Sequence, residues 1–246
     1  LTKCIYGVDI DVHAVEVSKF SLLIKLIEDE TPASVKECVP ILPDLSSNIK
    51  NGNSLICRED IHGKELPIEV LCNIKPFEWE TINGGAKFDA IVGNPPYVKT
   101  EDIHTLETEE EFAVYKKKYK SAYKQFDKYF LFLEKAFDLL KEDGQMCYIV
   151  PNKFYKIGAG QELRRITAKY VSKLDDFGDM QLFPDKTIYS CIITLCKECN
   201  KQLQYTNVIS LTDLWTGEEQ ENIEIKNEML DENPRRLTTD NKFMKM

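Results

Sequence analysis

The chain has 246 residues, 43% of them hydrophobic, and a formal net charge of −9, which suits one large or two small α/β domains and argues against a protein that coats nucleic acid non-specifically. No run approaches the roughly 18 to 20 apolar residues of a membrane span, and no charged-then-apolar leader opens the sequence, so a cytoplasmic protein with no membrane partner is expected. Eight scattered cysteines read as reduced thiols; only Cys196 and Cys199 have metal-ligand spacing and the three histidines form no spaced pair, so no metal site is expected.

In chain order, Lys3 to Asp9 reads as a strand ending in an acid, and Asp11 caps an amphipathic helix with Ala14, Val17, Phe20, Ile24 and Ile27 on one face. An acid at the carboxyl end of the second strand of a nucleotide-binding unit typically holds ribose hydroxyls, which singles out Asp9. Residues 31 to 48, rich in Pro and Ser, read as a loop; Ile49 to Ile56 reads as a short strand or turn that presents Asn53 to a ligand. Residues 57 to 87 lack periodicity and read as a variable insertion. Phe88 to Val92 is a short buried strand, stopped by Gly93-Asn94-Pro95-Pro96-Tyr97. An amide, two fixed-φ residues and an aromatic ring then arrive together at the carboxyl edge of a sheet, where open α/β sheets bind ligands. A proline turn that merely closes the strand is the plainer alternative.

A charged, mobile region to about Glu111 is expected next, followed from Phe112 to Lys128 by six lysines against one acid, interleaved with tyrosines. Lys116, Lys117, Lys118, Lys120 and Lys124, with Lys153 further on, are candidates for a phosphate backbone, a solvated helix face being the alternative. Phe126, Tyr129, Phe130, Leu133, Phe137 and Leu140 mark one face of a helix that Lys141 to Gly144 ends. Gln145 to Val150 reads as a strand with Pro151-Asn152-Lys153-Phe154 at its ligand edge. A helix near Gln161 to Ser172 and strands at Lys173 to Phe177 and Cys191 to Cys196 follow. From Asp213 to Glu232 eight acids stand against one lysine.

The stretches YGVDID (6 to 11), NGNSL (51 to 55), FDAIVGNPPYV (88 to 98), KYFLFLEKAFDLLKEDGQMCYIVPNKF (128 to 154) and LFPDKTIYSCIITL (182 to 195) resemble the catalytic domain of S-adenosylmethionine-dependent DNA adenine-N6 methyltransferases of the type IIG restriction-modification (Eco57I-like) family. The resemblance implies a Rossmann-like class I methyltransferase sheet, mostly parallel with an antiparallel last strand, over residues 1–200, and an acidic extension or linker over 201–246. It implies methyl transfer from S-adenosylmethionine to the N6 amine of a flipped-out adenine in duplex DNA. Asp9 would bind the cofactor ribose, Ile10 would pack on its adenine, and Asn53 would stand where the family has an acid. Asn94 and the Pro95 carbonyl would accept the amine hydrogens, Pro96 would help hold them rigid, and Tyr97 and Phe183 would stack on the base.

The family's glycine-rich loop should lie some twenty to thirty residues before Asp9, so the chain reads as lacking the first strand and that loop. As a fragment it is expected to be inactive alone. Nuclease and target-recognition domains are expected elsewhere in the same polypeptide. An RNA or protein-glutamine methyltransferase sharing the Asn-Pro-Pro-Tyr motif, and a non-catalytic DNA-binding remnant, are the other readings the sequence leaves open.

Overall fold

The computed structural model describes residues 1–28, 30–31, 42–183, 188–216, 221–230, 235–236 and 244–245, and the chain divides into two units, Leu1–Ala86 and Lys87–Met246. In the first unit, β1 (Gly7–Asp9) pairs in parallel with β2 (Ile49–Asn51), Gly7 opposite Ile49 and Asp9 opposite Asn51. β1 is shorter than the Lys3 to Asp9 expectation because residues 1–5 close a turn, with Cys4 and Ile5 N–H groups both on the Leu1 carbonyl. Buried Asn48 clamps that turn, its Nδ2 donating to the carbonyls of Thr2 (2.9 Å) and Ile5 (2.8 Å).

Helix α1 (Val12–Ile27) starts at Asp11, whose side chain accepts from the His13 N–H. Its expected buried face is not the one that packs. Val15 is buried, whereas Val17, Phe20, Ile24 and Ile27 are exposed. The helix is apolar on two sides, and it is Val15 that is buried, with Leu22 and Leu23 partly so. Residues 57–86 are also more ordered than their lack of periodicity suggests. They hold α2 (Ile68–Ile74) and three short 3₁₀ turns, and bury Ile61, Ile74, Phe77 and Ile82 with Leu55 and Ile56. Of the Pro/Ser-rich loop, residues 32–41 lie outside the described residues.

The second unit is built on a six-stranded sheet of order β3 (Phe88–Gly93), β4 (Leu140–Pro151), β6 (Tyr189–Cys196), β5 (Val171–Gln181), β7 (Gln202–Asn207), β8 (Glu221–Lys226). β3 and β4 are parallel, as are β5 and β7, and β6 runs antiparallel between β4 and β5. Four of the six strands therefore point the same way, the expected mixed α/β architecture with a reversed strand at 189–196. The carboxyl ends of β3, β4 and β5 lie along one edge. β8 pairs antiparallel with β7, so the sheet runs on past residue 200, where the sequence reading divides the chain.

Phe88 pairs with Leu140 and Ala90 with Gln145, so residues 141–144 stand out of register. Gly144 sits there because a Cβ would lie 2.9 Å from the Phe88 carbonyl oxygen.

The region expected to be a mobile loop before Glu111 is helical, with α3 (Thr100–Leu106) and then α4 (Glu109–Lys118). A reciprocal cap starts α4: the Glu111 N–H donates to Thr108 Oγ1 (3.2 Å) and the Thr108 N–H to Glu111 Oε2 (3.0 Å). Helix α5 (Lys128–Leu139) buries the face read from the sequence, with Phe126, Tyr129, Phe130, Leu133, Phe137 and Leu140 all in the core. Each such side chain contributes about 1.5–3 kcal/mol, which fixes α5 against the sheet. Helix α6 (Gln161–Thr167) ends sooner than the Ser172 expectation, passing through a 3₁₀ turn into β5, and α7 (Leu211–Thr216) follows β7. No described helix is long and apolar enough to cross a membrane, and the described cysteines are all free thiols.

Candidate active site

The Asn94–Tyr97 loop leaves β3 at Gly93, which faces Tyr148 of β4 so closely that a Cβ would lie 2.9 Å from Tyr148 Cε1. Pro95 is buried, Asn94 and Pro96 are exposed, and Tyr97 is half-buried. The loop is pinned at its far end to the start of α5. The Lys128 N–H donates to the Val98 carbonyl (2.8 Å), Lys99 and Asp127 form an antiparallel bridge, and Thr100 Oγ1 donates to the Phe126 carbonyl. Two prolines and three anchors hold the backbone that carries Asn94 and Tyr97.

Tyr97 is the centre of the cluster. Its hydroxyl lies 2.6 Å from Asn94 Oδ1 and 3.0 Å from the Ile149 carbonyl oxygen of β4, both acceptors as placed. Burial first, and the Cys191 thiol second, push its pKa up to about 12, so the phenol keeps its proton at neutral pH. The Tyr97 ring meets Tyr129 edge-on, centroids 6.2 Å apart, and Phe183 at 6.3 Å with planes 67° apart. Phe183 thus reaches Tyr97 from beyond the carboxyl end of β5, while Pro184–Thr187 lie outside the described residues.

Behind this face stands a buried polar layer that the sequence reading missed. Tyr129, fully buried, donates to the Pro151 carbonyl (3.1 Å). Asp176 on β5, also buried, accepts on Oδ1 from Asn152 Nδ2 (2.8 Å) and the Gly178 N–H (3.1 Å). Its Oδ2 accepts from Tyr205 (3.1 Å) and from Tyr155. One carboxylate so ties the turn after β4 to β5 and β7. Tyr129 was legible only as core, being on the apolar stripe of α5, and Asp176 gave no local signal because its side-chain partners Asn152, Tyr155 and Tyr205 are distant in sequence.

The lysines divide by what they touch. Lys116 Nζ donates to the carbonyls of Ala122 and Lys124, both at 3.0 Å, and lies 4.8 Å from the Phe126 ring. It is a structural clamp for the loop after α4. Desolvation by these neighbours lowers its pKa. Lys153 pairs with buried Asp127 at 2.7 Å. Lys118 lies over the Tyr119 ring and Lys124 over Tyr123, while Lys117 and Lys120 are exposed.

In the first unit, Asp9 ends β1 with Oδ1 accepting from the Asp11 N–H (2.8 Å), and the carboxylate is exposed. Asn51 Nδ2 donates to the carbonyls of Asp9 and Ile10, both at 3.0 Å, and Lys75 Nζ reaches the Ile10 carbonyl at 3.0 Å. Two side chains that the sequence reading passed over thus fix the backbone that carries Asp9. An exposed carboxylate beside the exposed apolar Ile10 fits a ribose diol and a purine face, so the donor set suits S-adenosylmethionine. Asn53 is placed differently from its expected outward role. It is buried, and its Oδ1 accepts from the Leu55 N–H at 3.1 Å in a local turn. Gly52 beside it is packed against Phe77, 2.9 Å from where a Cβ would be.

The sequence profile of the Eco57I restriction-modification methylase family matches residues 3–183. The chain belongs to this family. It is 46% identical over 210 residues to the type II restriction enzyme and methyltransferase RM.Eco57I of Escherichia coli, covering 85% of this chain and 20% of that protein. It is 39% identical over 85 residues to the type II methyltransferase M.BstVI of Geobacillus stearothermophilus, covering 34% of this chain and 14% of that one. The chain therefore spans a fifth or less of the length of these relatives. In fold it resembles the DrdV–DNA complex, with a TM-score of 0.55 at 15% identity over 81% of this chain and 20% of that one.

Proposed function

We propose that this chain forms part of the methyltransferase body of a restriction-modification enzyme acting in the cytoplasm. Its reaction is transfer of a methyl group from S-adenosylmethionine to the N6 amine of a flipped-out adenine in duplex DNA. The observation that carries the reading is the grouping at the carboxyl edge of the sheet of Asn94 and Tyr97, on a loop locked by Pro95, Pro96 and the start of α5, with Phe183, which follows β5.

The exocyclic amine of adenine is a poor nucleophile because its lone pair delocalises into the ring. Acceptors for both hydrogens draw the nitrogen towards tetrahedral geometry and stabilise the positive charge that develops. In this reading the Asn94 oxygen and the Pro95 carbonyl are those acceptors. Tyr97 and Phe183 hold the base by stacking, worth roughly 1–3 kcal/mol against an extrusion cost of a few. The cofactor supplies an electrophilic methyl group when bound, and in the first unit Asp9 and Ile10 would hold its nucleoside. Lys117 and Lys120 are the lysines best placed to meet phosphates, because Lys116 and Lys153 have protein partners.

Nuclease and target-recognition segments are proposed to lie elsewhere in the full-length polypeptide. Incubating the full-length protein with tritiated cofactor and duplex DNA, beside Asn94→Ala, tests the reading. Label in DNA that Asn94→Ala abolishes is expected; label in RNA, in protein or in nothing refutes it.

A further inference from the structure

The Tyr97 hydroxyl has one proton and two acceptors within reach, Asn94 Oδ1 at 2.6 Å and the Ile149 carbonyl at 3.0 Å. The carbonyl can only accept. The Asn94 amide can do either, because turning it over exchanges its oxygen for its NH₂ group. Two arrangements therefore give the hydroxyl proton an acceptor, and only the second of them also uses the hydroxyl oxygen as an acceptor. In one, the proton goes to Asn94 Oδ1 and the NH₂ is turned away from Tyr97. In the other, the proton goes to Ile149, the turned Asn94 donates an N–H to the Tyr97 oxygen, and Asn94 Oδ1 faces away from Tyr97.

We propose that the Tyr97 hydroxyl is a positioning group that sets which way round the Asn94 amide faces, and that an amine substrate selects the arrangement in which Tyr97 donates to Ile149. The inference rests on the methyltransfer reading and adds to it a role for a hydroxyl that stacking does not use. The first arrangement presents an NH₂ to a substrate whose own amine brings hydrogens, two donors face to face. The second presents an oxygen with both lone pairs open. Donation from the Asn94 N–H to Tyr97 polarises that amide and makes its oxygen the stronger acceptor. Because Ile149 belongs to β4, paired with Ile192 of β6, its carbonyl is a fixed reference against which the hydroxyl can orient the amide. The phenol, held protonated by burial, provides the same donor across the neutral range.

Tyr97→Phe separates the hydroxyl from the ring. The full-length protein is assayed under single-turnover conditions on duplex DNA. Base extrusion is followed in parallel by the fluorescence of 2-aminopurine at the target position. The rate constant for methyl transfer is expected to fall about tenfold, the worth of one hydrogen bond in the transition state, with the fluorescence amplitude and KM for DNA within about twofold of wild type. In an Asn94→Asp background the carboxylate has no wrong way round, and Tyr97→Phe is expected to change its slower rate by less than about twofold. An unchanged rate in the single variant overturns the proposal. So does loss of the fluorescence amplitude, or the same tenfold loss in the Asn94→Asp background. A wild type that leaves duplex adenine unmethylated instead refutes the underlying reading, and the hydroxyl's role falls with it.

Discussion

Asp176→Asn should destabilise the protein by about 2–4 kcal/mol, and the structure says why. The two carboxylate oxygens take four donors, Asn152 and Gly178 on one side and Tyr155 and Tyr205 on the other. An asparagine offers one oxygen and one NH₂. With the NH₂ towards Asn152 and Gly178, the Asn152 amide can turn over to accept, but the Gly178 N–H is fixed and is left facing a second donor. With the NH₂ towards the tyrosines their oxygens can accept, but two hydroxyl protons in a buried layer lose their acceptor, at about 1–3 kcal/mol each and not additively. Either way at least one buried donor loses its acceptor. Because Tyr155 and Asp176 share one network, Asp176→Asn with Tyr155→Phe is expected to lose less than the sum of the single variants. Urea unfolding followed by circular dichroism reads both quantities. A loss below about 0.5 kcal/mol would mean that relief from burying a charge outweighs its four hydrogen bonds, and would refute the reasoning.

Other consequences are open to measurement. Burial holds the Asp127 carboxyl above its ordinary value while Lys153 pulls it down, so the folded state keeps this proton more tightly than the unfolded chain. Stability from this group thus falls as pH rises through the window from the ordinary value to the raised one. Lys153→Met removes the opposing attraction, raises the folded value further and should steepen the fall of Tm as pH rises above the ordinary carboxylate range; a flatter profile contradicts the assignment. Gly93→Ala drives a methyl against the Tyr148 ring and should cost about 1–3 kcal/mol by overpacking, read as a lower urea midpoint. Lys117→Ala with Lys120→Ala should reduce the salt dependence of DNA binding by up to about two counterions, whereas Lys116→Ala should lower Tm and leave that slope nearly unchanged.

The positions of β3 and β6 and the face of α5 were legible because each is a bounded apolar run or a single buried stripe, while the reversal of β6 was implied by the resemblance alone; the burial expected of β3 is not found, because it is an edge strand with Val92 80% exposed. The loop from Asn94 to Tyr97 was legible for a related reason: two prolines leave the backbone few choices. Helix α1 misled because it is apolar on two sides, so periodicity gave a face but not its partner. Strands β7 and β8 went unread although each alternates, Leu203 with Tyr205 and Ile223 with Ile225, because each carries only two apolar side chains in a polar segment. The Asp176 layer joins residues about 20 to 30 apart, and no local pattern reports such a carboxylate. Asn53 was expected to face a ligand from its spacing, yet the turn closed by its own oxygen on Leu55 takes the side chain inward. The shared hydroxyl of Tyr97 depends on β4 lying beside β3, a relation only the fold supplies.

The most direct test of the central claim is nucleoside mass spectrometry of duplex DNA after incubation with the full-length protein and S-adenosylmethionine, beside Asn94→Ala. The account predicts N6-methyladenine with wild type and at least a hundredfold less, on the order of the loss of a transition-state acceptor, with the variant. Methylcytosine, or N6-methyladenine formed equally well by Asn94→Ala, would contradict it.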